Sequence, residues 1–306
     1  MSKVAVILSA YNGTTYIKEQ INSILAGSYT DFTIFIRDDG SKDDTSQLLS
    51  DTYKDEPRVR LILGEENLGF GNSFSRTMKL ALEDSDGYDY FAFCDQDDFW
   101  EKEKLMRAVK ALNSMDESKP NLFAANYFIC DEKLEINGTF CDGNPMEKVT
   151  FQNMFFEGVF PGFCIVINRK LAELAFAQTT APDIFYHDKW VSLLAFANAG
   201  EIYYDRTPLA KYRRHEGAAS STNLGILAKI KWRINNVLNG NFCPRTKKML
   251  CEFKKFYYST CDDEIKKFLD IFTGEKTCRK FFYMKRLRRS VGGEFLMRMI
   301  LLLGKL

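Results

Sequence analysis

Residues 91–100 read Phe91-Ala-Phe-Cys-Asp95-Gln-Asp97-Asp98-Phe-Trp100. The stretch opens with the composition of a buried strand and then breaks into three acids within four positions. Apolar residues running straight into carboxylates suggest a strand that delivers ligands to the carboxyl edge of a parallel sheet. That edge is where open α/β sheets bind their ligands. Carboxylate oxygens suit hard cations such as Mg²⁺ or Mn²⁺, and such ions commonly hold substrate phosphates. The plainer alternative is an acid-rich turn capping the next helix, because Asp favours helix N-termini. The flanking sequence weighs between the two.

Upstream, residues 4–8 (Val-Ala-Val-Ile-Leu) form a short apolar run consistent with a buried parallel strand. Ser9-Ala10-Tyr11-Asn12-Gly13 breaks it, and Ile17, Ile21, Ile24 and Leu25 then recur at helical spacing. Residues 32–36 predict a second strand, ending in Asp38-Asp39-Gly. Residues 59–63 predict a third, followed by Asn67-Leu-Gly69 and a helix through Phe74, Met78 and Ala81. Residues 90–94 are the fourth strand, and Leu105, Ala108, Val109 and Leu112 mark a helix over 101–112. This alternation predicts a mostly parallel sheet with helices on both faces. Right-handed crossovers put every carboxyl end on one side, so the polar breaks at Tyr11, Asp39, Asn67 and Asp97 line a single crevice. Each break also has a plainer reading. Asp38-Asp39-Gly is a common turn, and Asn67 with Gly69 could simply close a loop.

Composition narrows the function classes. The 42 Lys and Arg nearly cancel the 41 Asp and Glu, so no global field argues for nucleic acid. Eight cysteines are scattered without a C-x-x-C pair, and two histidines, His187 and His215, make a zinc site a poor expectation. Dispersed thiols and an opening without a signal-peptide pattern lead us to expect a reduced, cytoplasmic protein. No uncharged run approaches the ~18 apolar residues of a membrane span.

Taken in order, Val-Ala-Val-Ile-Leu-Ser-Ala-Tyr-Asn-Gly, Arg-Asp-Asp-Gly-Ser, Asn-Leu-Gly and Asp-Gln-Asp-Asp-Phe-Trp resemble the family 2 inverting glycosyltransferases of GT-A fold. The Asp-Gln-Asp-Asp-x-Trp form is most similar to the bacterial rhamnosyltransferase branch, which builds cell-surface polysaccharides. The resemblance is strongest over residues 3–112, partial to about 220 and faint beyond. It implies that Ser9, Ala10 and Tyr11 contact the nucleotide, that Asp39 accepts a hydrogen bond from the base, and that Asn67 and Gly69 border the same pocket. It also implies that Asp95 and Asp97 form the D-x-D pair, with Asp97 the direct ligand of Mn²⁺ or Mg²⁺. Asp98 would support the following helix or water around the ion.

Further on, residues 158–168 form an apolar, glycine-containing segment that in the family passes beneath the acceptor sugar, or else is a plain core strand. The His187-Asp188-Lys-Trp190 segment matches the place of the family's catalytic base, which makes Asp188 the candidate; a dipole partner in a helix's first turn is the alternative. Lys211-Tyr-Arg213-Arg214-His215 resembles the family's Tyr-Arg-x-His segment. Arg213 or Arg214 would clamp a diphosphate and His215 would add a metal or phosphate ligand, unless the segment is a solvated basic turn. The Gln-x-x-Arg-Trp element of processive members is not apparent, which favours the addition of one sugar or very few.

The expected organisation is a GT-A catalytic domain over 1–220, with a nucleotide-binding half to 112 and an acceptor half after it, then a basic helical region over 221–306. Residues 279–289 interleave cations with aromatics and lead into an apolar run, as in helices that lie on anionic membranes. Docking on the catalytic domain, or a homodimer contact, would explain the tail as well. The expected donor is a nucleotide sugar such as dTDP-rhamnose, with a UDP-hexose or UDP-N-acetylhexosamine as alternative, and the expected acceptor is a glycan or lipid-linked glycan. A nucleotidyltransferase fits less well because the loop after the first strand lacks a Gly-rich, basic triphosphate cradle. A non-catalytic sugar binder would have little reason to keep Asp39, Asp95, Asp97 and Asp188 together.

Overall fold

The computed structural model describes residues 2–177, 186–215 and 242–306. They fall into two compact units, residues 1–146 with 160–214, and residues 147–159 with 215–306.

The first unit is built on one nine-stranded sheet. Strands β1 (Val4–Ala10), β2 (Phe32–Asp38), β3 (Val59–Leu63) and β4 (Tyr90–Cys94) pair in parallel in the order β3-β2-β1-β4. Beyond β4 the sheet continues through β8 (Ile165–Asn168), β6 (Leu122–Cys130), β9 (Ile202–Arg213) and β5 (Phe99–Trp100), while β7 (Ile136–Thr139) pairs with β6. β8 is antiparallel to both neighbours, and β6 and β9 are parallel to each other. Six strands therefore share one sense, and β5, β7 and β8 oppose it. The carboxyl ends of β1 to β4 still meet on one edge. The antiparallel insertion is what short-range reading misses, because a four-residue apolar run such as Ile-Val-Ile-Asn carries no sign of its direction.

Helices α1 (Ile17–Leu25), α2 (Thr45–Tyr53), α3 (Phe70–Glu83) and α4 (Lys104–Leu112) intervene between these strands. α2 has little apolar periodicity beyond Leu49 and Tyr53, and so left no clear trace in the sequence. Burial explains the strand composition: every residue of β4 is buried, as are Val4 to Leu8. Fully burying a side chain of this size contributes about 1.5–3 kcal/mol. Helices α6 (Arg169–Phe176) and α7 (His187–Ala197) complete the unit. Asn168 caps α6, its side chain accepting from Leu171 N–H at 3.1 Å.

The second unit is helical. Its α5 (Phe151–Glu157) belongs here by contact, although the sequence places it within the acceptor half. The reason is its apolar face. The Phe151 ring lies 5.4 Å from Phe253, Phe155 lies 5.8 Å from Phe268 and Phe156 lies 5.4 Å from Phe272. Those partners sit on α8 (Phe242–Tyr257) and α9 (Asp263–Thr273), which are followed by α10 (Thr277–Phe281) and α11 (Val291–Leu302). The expected boundary at 220 lies outside the described residues.

Candidate active site

The edge where β1, β2 and β4 end is tied together by polar side chains. Gln96 clasps the main chain of Tyr11, its Oε1 accepting from the Tyr11 N–H at 2.9 Å and its Nε2 donating to the Tyr11 carbonyl at 3.1 Å. The Gln96 amide fills the space that a side chain at Gly13 would need. Gly13 N–H donates to Thr45 Oγ1 at 2.8 Å, and Asn12 N–H donates to Ser41 Oγ at 3.0 Å. Ser9 lies beside α3, its hydroxyl paired with that of Ser73 at 2.6 Å. Ala10 is buried, whereas the Tyr11 side chain is exposed at the rim.

Asp39 is largely occupied by the protein itself. It pairs with Arg37, and its oxygens accept from Leu68 N–H at 3.1 Å and Gly69 N–H at 2.9 Å. Gly69, the residue before α3, adopts φ +78°, a conformation that would strain any side chain. Its N–H also donates to the Asn67 side chain at 2.9 Å, so Asn67 and Asp39 jointly shape this loop. A carboxylate offers about four lone-pair sites. Three are used here.

The acids after β4 are in the opposite condition. Asp95 Oδ1 is buried and meets no hydrogen-bond partner. Burial, then Asp97, then Asp188 push the Asp95 carboxyl up to about 8. The last of these causes brings the α7 acid, 93 positions along the chain, to the end of β4. Asp98 is wholly buried; its Oδ1 accepts from Arg213 N–H at 3.1 Å and its Oδ2 is unpartnered. Burial and its acidic neighbours raise its pKa well above the ordinary carboxyl range. The nearby cation is Lys104, buried in the first turn of α4 with Nζ 3.5 Å from the centre of the Trp100 ring and bonded to the Phe163 carbonyl. Burial pulls that ammonium down to about 8.

Asp188 stands in the first turn of α7 and accepts from Lys189 N–H at 2.7 Å. Its neighbour His187 is sealed among aromatic rings, stacked at 4.2 Å on Phe74 and tilted at 4.7 Å from Phe93. Neither ring nitrogen has a partner, and burial holds the imidazole neutral with a pKa of about 4. Gly162 lies so close to this ring that a Cβ there would collide with it. Sequence pattern cannot reveal this packing, since His187 and Gly162 come from separate segments.

The arginines divide. Arg213 lies within β9, not in a solvated turn, and is buried. Its Nε donates to the Asp97 carbonyl at 2.9 Å, Nη1 to the Glu132 carbonyl at 2.6 Å and Nη2 to Glu19, with the Tyr16 ring 4.5 Å away. All three guanidinium nitrogens are thus engaged by the protein, one of them on the acid loop. Arg214 is half-buried, and its Nε has no partner. His215 groups by contact with the other unit. Among the described residues, no group of three or more His, Cys, Asp or Glu side chains is gathered into a ready metal-binding cluster. The orphaned Asp95 oxygen between acidic neighbours nevertheless fits a divalent ion that takes its remaining ligands from phosphate and water.

Comparison with known proteins agrees with this geometry. The family model described as "Glycosyl transferase family 2" matches residues 5–170. The dTDP-rhamnosyl transferase RfbG of Shigella flexneri is 31% identical over 237 residues, covering 73% of this chain and 77% of its own. Among solved structures, S. aureus TarS 1–349 in complex with UDP-GlcNAc superposes with TM-score 0.57 at 17% identity, covering 97% of this chain and 89% of that one. The mannosyltransferase PcManGT of Pyrobaculum calidifontis, in complex with GDP-Man and Mn²⁺, gives TM-score 0.52 at 16% identity, covering 83% of this chain and 63% of its own. These structural likenesses fix the fold as GT-A.

Proposed function

Since the chain belongs to glycosyl transferase family 2, we propose that it transfers a sugar with inversion from dTDP-rhamnose, or a closely similar nucleotide sugar, to a cell-surface glycan acceptor. The observation that carries the site assignment is the unpartnered, buried Asp95 oxygen whose carboxyl is perturbed by both Asp97 and Asp188. Asp95 stands within electrostatic reach of two further carboxylates, and a cation with its diphosphate would relieve that repulsion.

In a single displacement, the acceptor hydroxyl attacks the anomeric carbon as the nucleoside diphosphate leaves. Asp188, in the first turn of α7, takes the hydroxyl proton as the general base. Asp97 and Asp95 would hold a divalent ion, which supplies Lewis-acid stabilisation to the leaving diphosphate. Arg214 takes the diphosphate-facing role in place of Arg213. Ser9, Tyr11 and the loop shaped by Asp39, Asn67 and Gly69 border the nucleotide, with Asp39 offering the base its one remaining lone-pair site. His187 holds the first turn of α7 in place by packing.

The reading is tested by thermal shift with nucleotide sugars and Mn²⁺, because a ligand at 100 times its Kd stabilises the folded state by about 2.7 kcal/mol. dTDP-rhamnose should raise the melting temperature most, and Asp97→Ala should abolish the Mn²⁺-dependent part of that rise. A larger rise with UDP-hexoses transfers the donor assignment to them. No rise with any nucleotide sugar would overturn the proposal.

A further inference from the structure

Helix α11 is apolar on two opposite sides. Met297, Ile300 and Leu301 are buried in the second unit. Val291, Phe295, Met299, Leu302 and Leu303 are instead all exposed, Phe295 at 69% and Leu302 at 55%. At 100° per residue the exposed five fall within an arc of about 120°. The stripe is continued in sequence by Phe282 and Met284, exposed at 73% and 95% in the segment that leads into the helix. Contiguous apolar surface of this kind marks an interaction site.

The charge around it indicates the occupant. Residues 275–306 carry nine Lys and Arg against two Glu. Arg298 pairs with Glu294, Lys285 with Glu264, and Arg288 and Arg289 with Glu157, while Lys280 is buried against the carbonyl of Leu306. Arg286, five residues before the helix, and Lys305, three residues after it, are exposed. A second copy placed on this face would set two cationic segments against each other, which disfavours self-association. An anionic lipid surface satisfies both features, burying the apolar stripe in the acyl boundary and gathering the cations at the headgroups. The helix has twelve residues, or about 18 Å of length, well short of the ~30 Å hydrocarbon core. Among the described residues no helix is long and apolar enough to cross a membrane.

We propose that the exposed stripe Val291, Phe295, Met299, Leu302 and Leu303, with its basic flanks, seats the protein in plane on an anionic phospholipid membrane. This face lies wholly within the helical unit and does not depend on which donor is used. The test is co-sedimentation of the full chain with vesicles of phosphatidylcholine alone or with 30% phosphatidylglycerol, at low and high salt. The wild-type protein should partition at least tenfold more onto the anionic vesicles, and salt should weaken that binding. F295S/L302S should lose most of it while melting at an unchanged temperature and retaining donor hydrolysis, since both side chains are already in solvent. Equal partitioning onto both vesicle types, or equal binding by wild type and variant, would overturn the proposal. So would a concentration-dependent dimer that forms without lipid and is lost in the variant, because the occupant would then be a second copy.

Discussion

The two ends of the acidic rim use the same residue type to opposite effect. At the end of β2, Asp38 accepts from Ser41 and Ser46, and Asp39 is held by Arg37 and two backbone N–H groups. At the end of β4, Asp95 and Asp98 each keep a buried oxygen without a partner, Asp95 in the field of Asp97 and Asp188 and Asp98 in that of Asp95 and Asp97. A buried carboxylate is tolerated when it is paired and is costly when it is not. The first cluster is therefore held mainly by the protein itself, whereas the second keeps unmet hydrogen-bonding capacity at the place where we propose that a ligand binds.

That contrast can be broken most sharply at Asp188. Asp188→Asn should lower kcat by about 10²–10⁴-fold, the usual contribution of a positioned base, with nucleotide affinity retained in equilibrium binding. Normal turnover would move the base elsewhere. Next comes Asp39→Ala, which leaves the buried Arg37 guanidinium uncompensated. Breaking a buried pair costs about 3–5 kcal/mol, so the denaturation midpoint should fall steeply. An unchanged midpoint would show that the Arg37–Asp39 pair does not hold this loop.

The smallest effect is a pH dependence at Asp95. Its folded pKa of about 8 lies above the ordinary 3.8, so the ion-free protein holds a proton that the unfolded chain releases. This group therefore costs stability as pH rises from about 4 to about 8, and a bound cation, by displacing the proton, restores it. Mn²⁺ should stabilise the protein more at pH 8 than at pH 6, by up to about 1.4 kcal/mol per pH unit, measured as the shift in melting temperature. A Mn²⁺ effect independent of pH would show that Asp95 is not in the ion's field.

Much of the rim was legible in the sequence because strand ends are local events. Apolar runs ending in Ser9-Ala-Tyr, Asp38-Asp39-Gly and Asp95-Gln-Asp97 announce both the strands and the residues at their tips, and parallel pairing then forces those tips together. Gln96 was not legible as a clasp on Tyr11, because side-chain amides carry no pattern that names a partner 85 residues away. Lys104 and His187 were hidden for a similar reason. Each looks like an ordinary helix-start residue in sequence, and each is wholly enclosed in the fold. The strand position of Arg213 was hidden because β9 runs twelve residues to Arg213 itself, whereas its apolar signal fades after Tyr204. Pairing with β6 extends the strand, and that pairing is long-range.

The sequence by itself determined the parallel β-α alternation, the carboxyl-edge acids and the amphipathic basic tail, since each depends on spacings within one segment. Only the tertiary structure decided which charges are spent and which are open: Arg213 locked against Glu19, Asp39 paired with Arg37, Asp95 with an orphaned oxygen in the field of Asp188. Satisfaction of a buried charge depends on the sum of everything packed around it, and those neighbours arrive from distant parts of the chain.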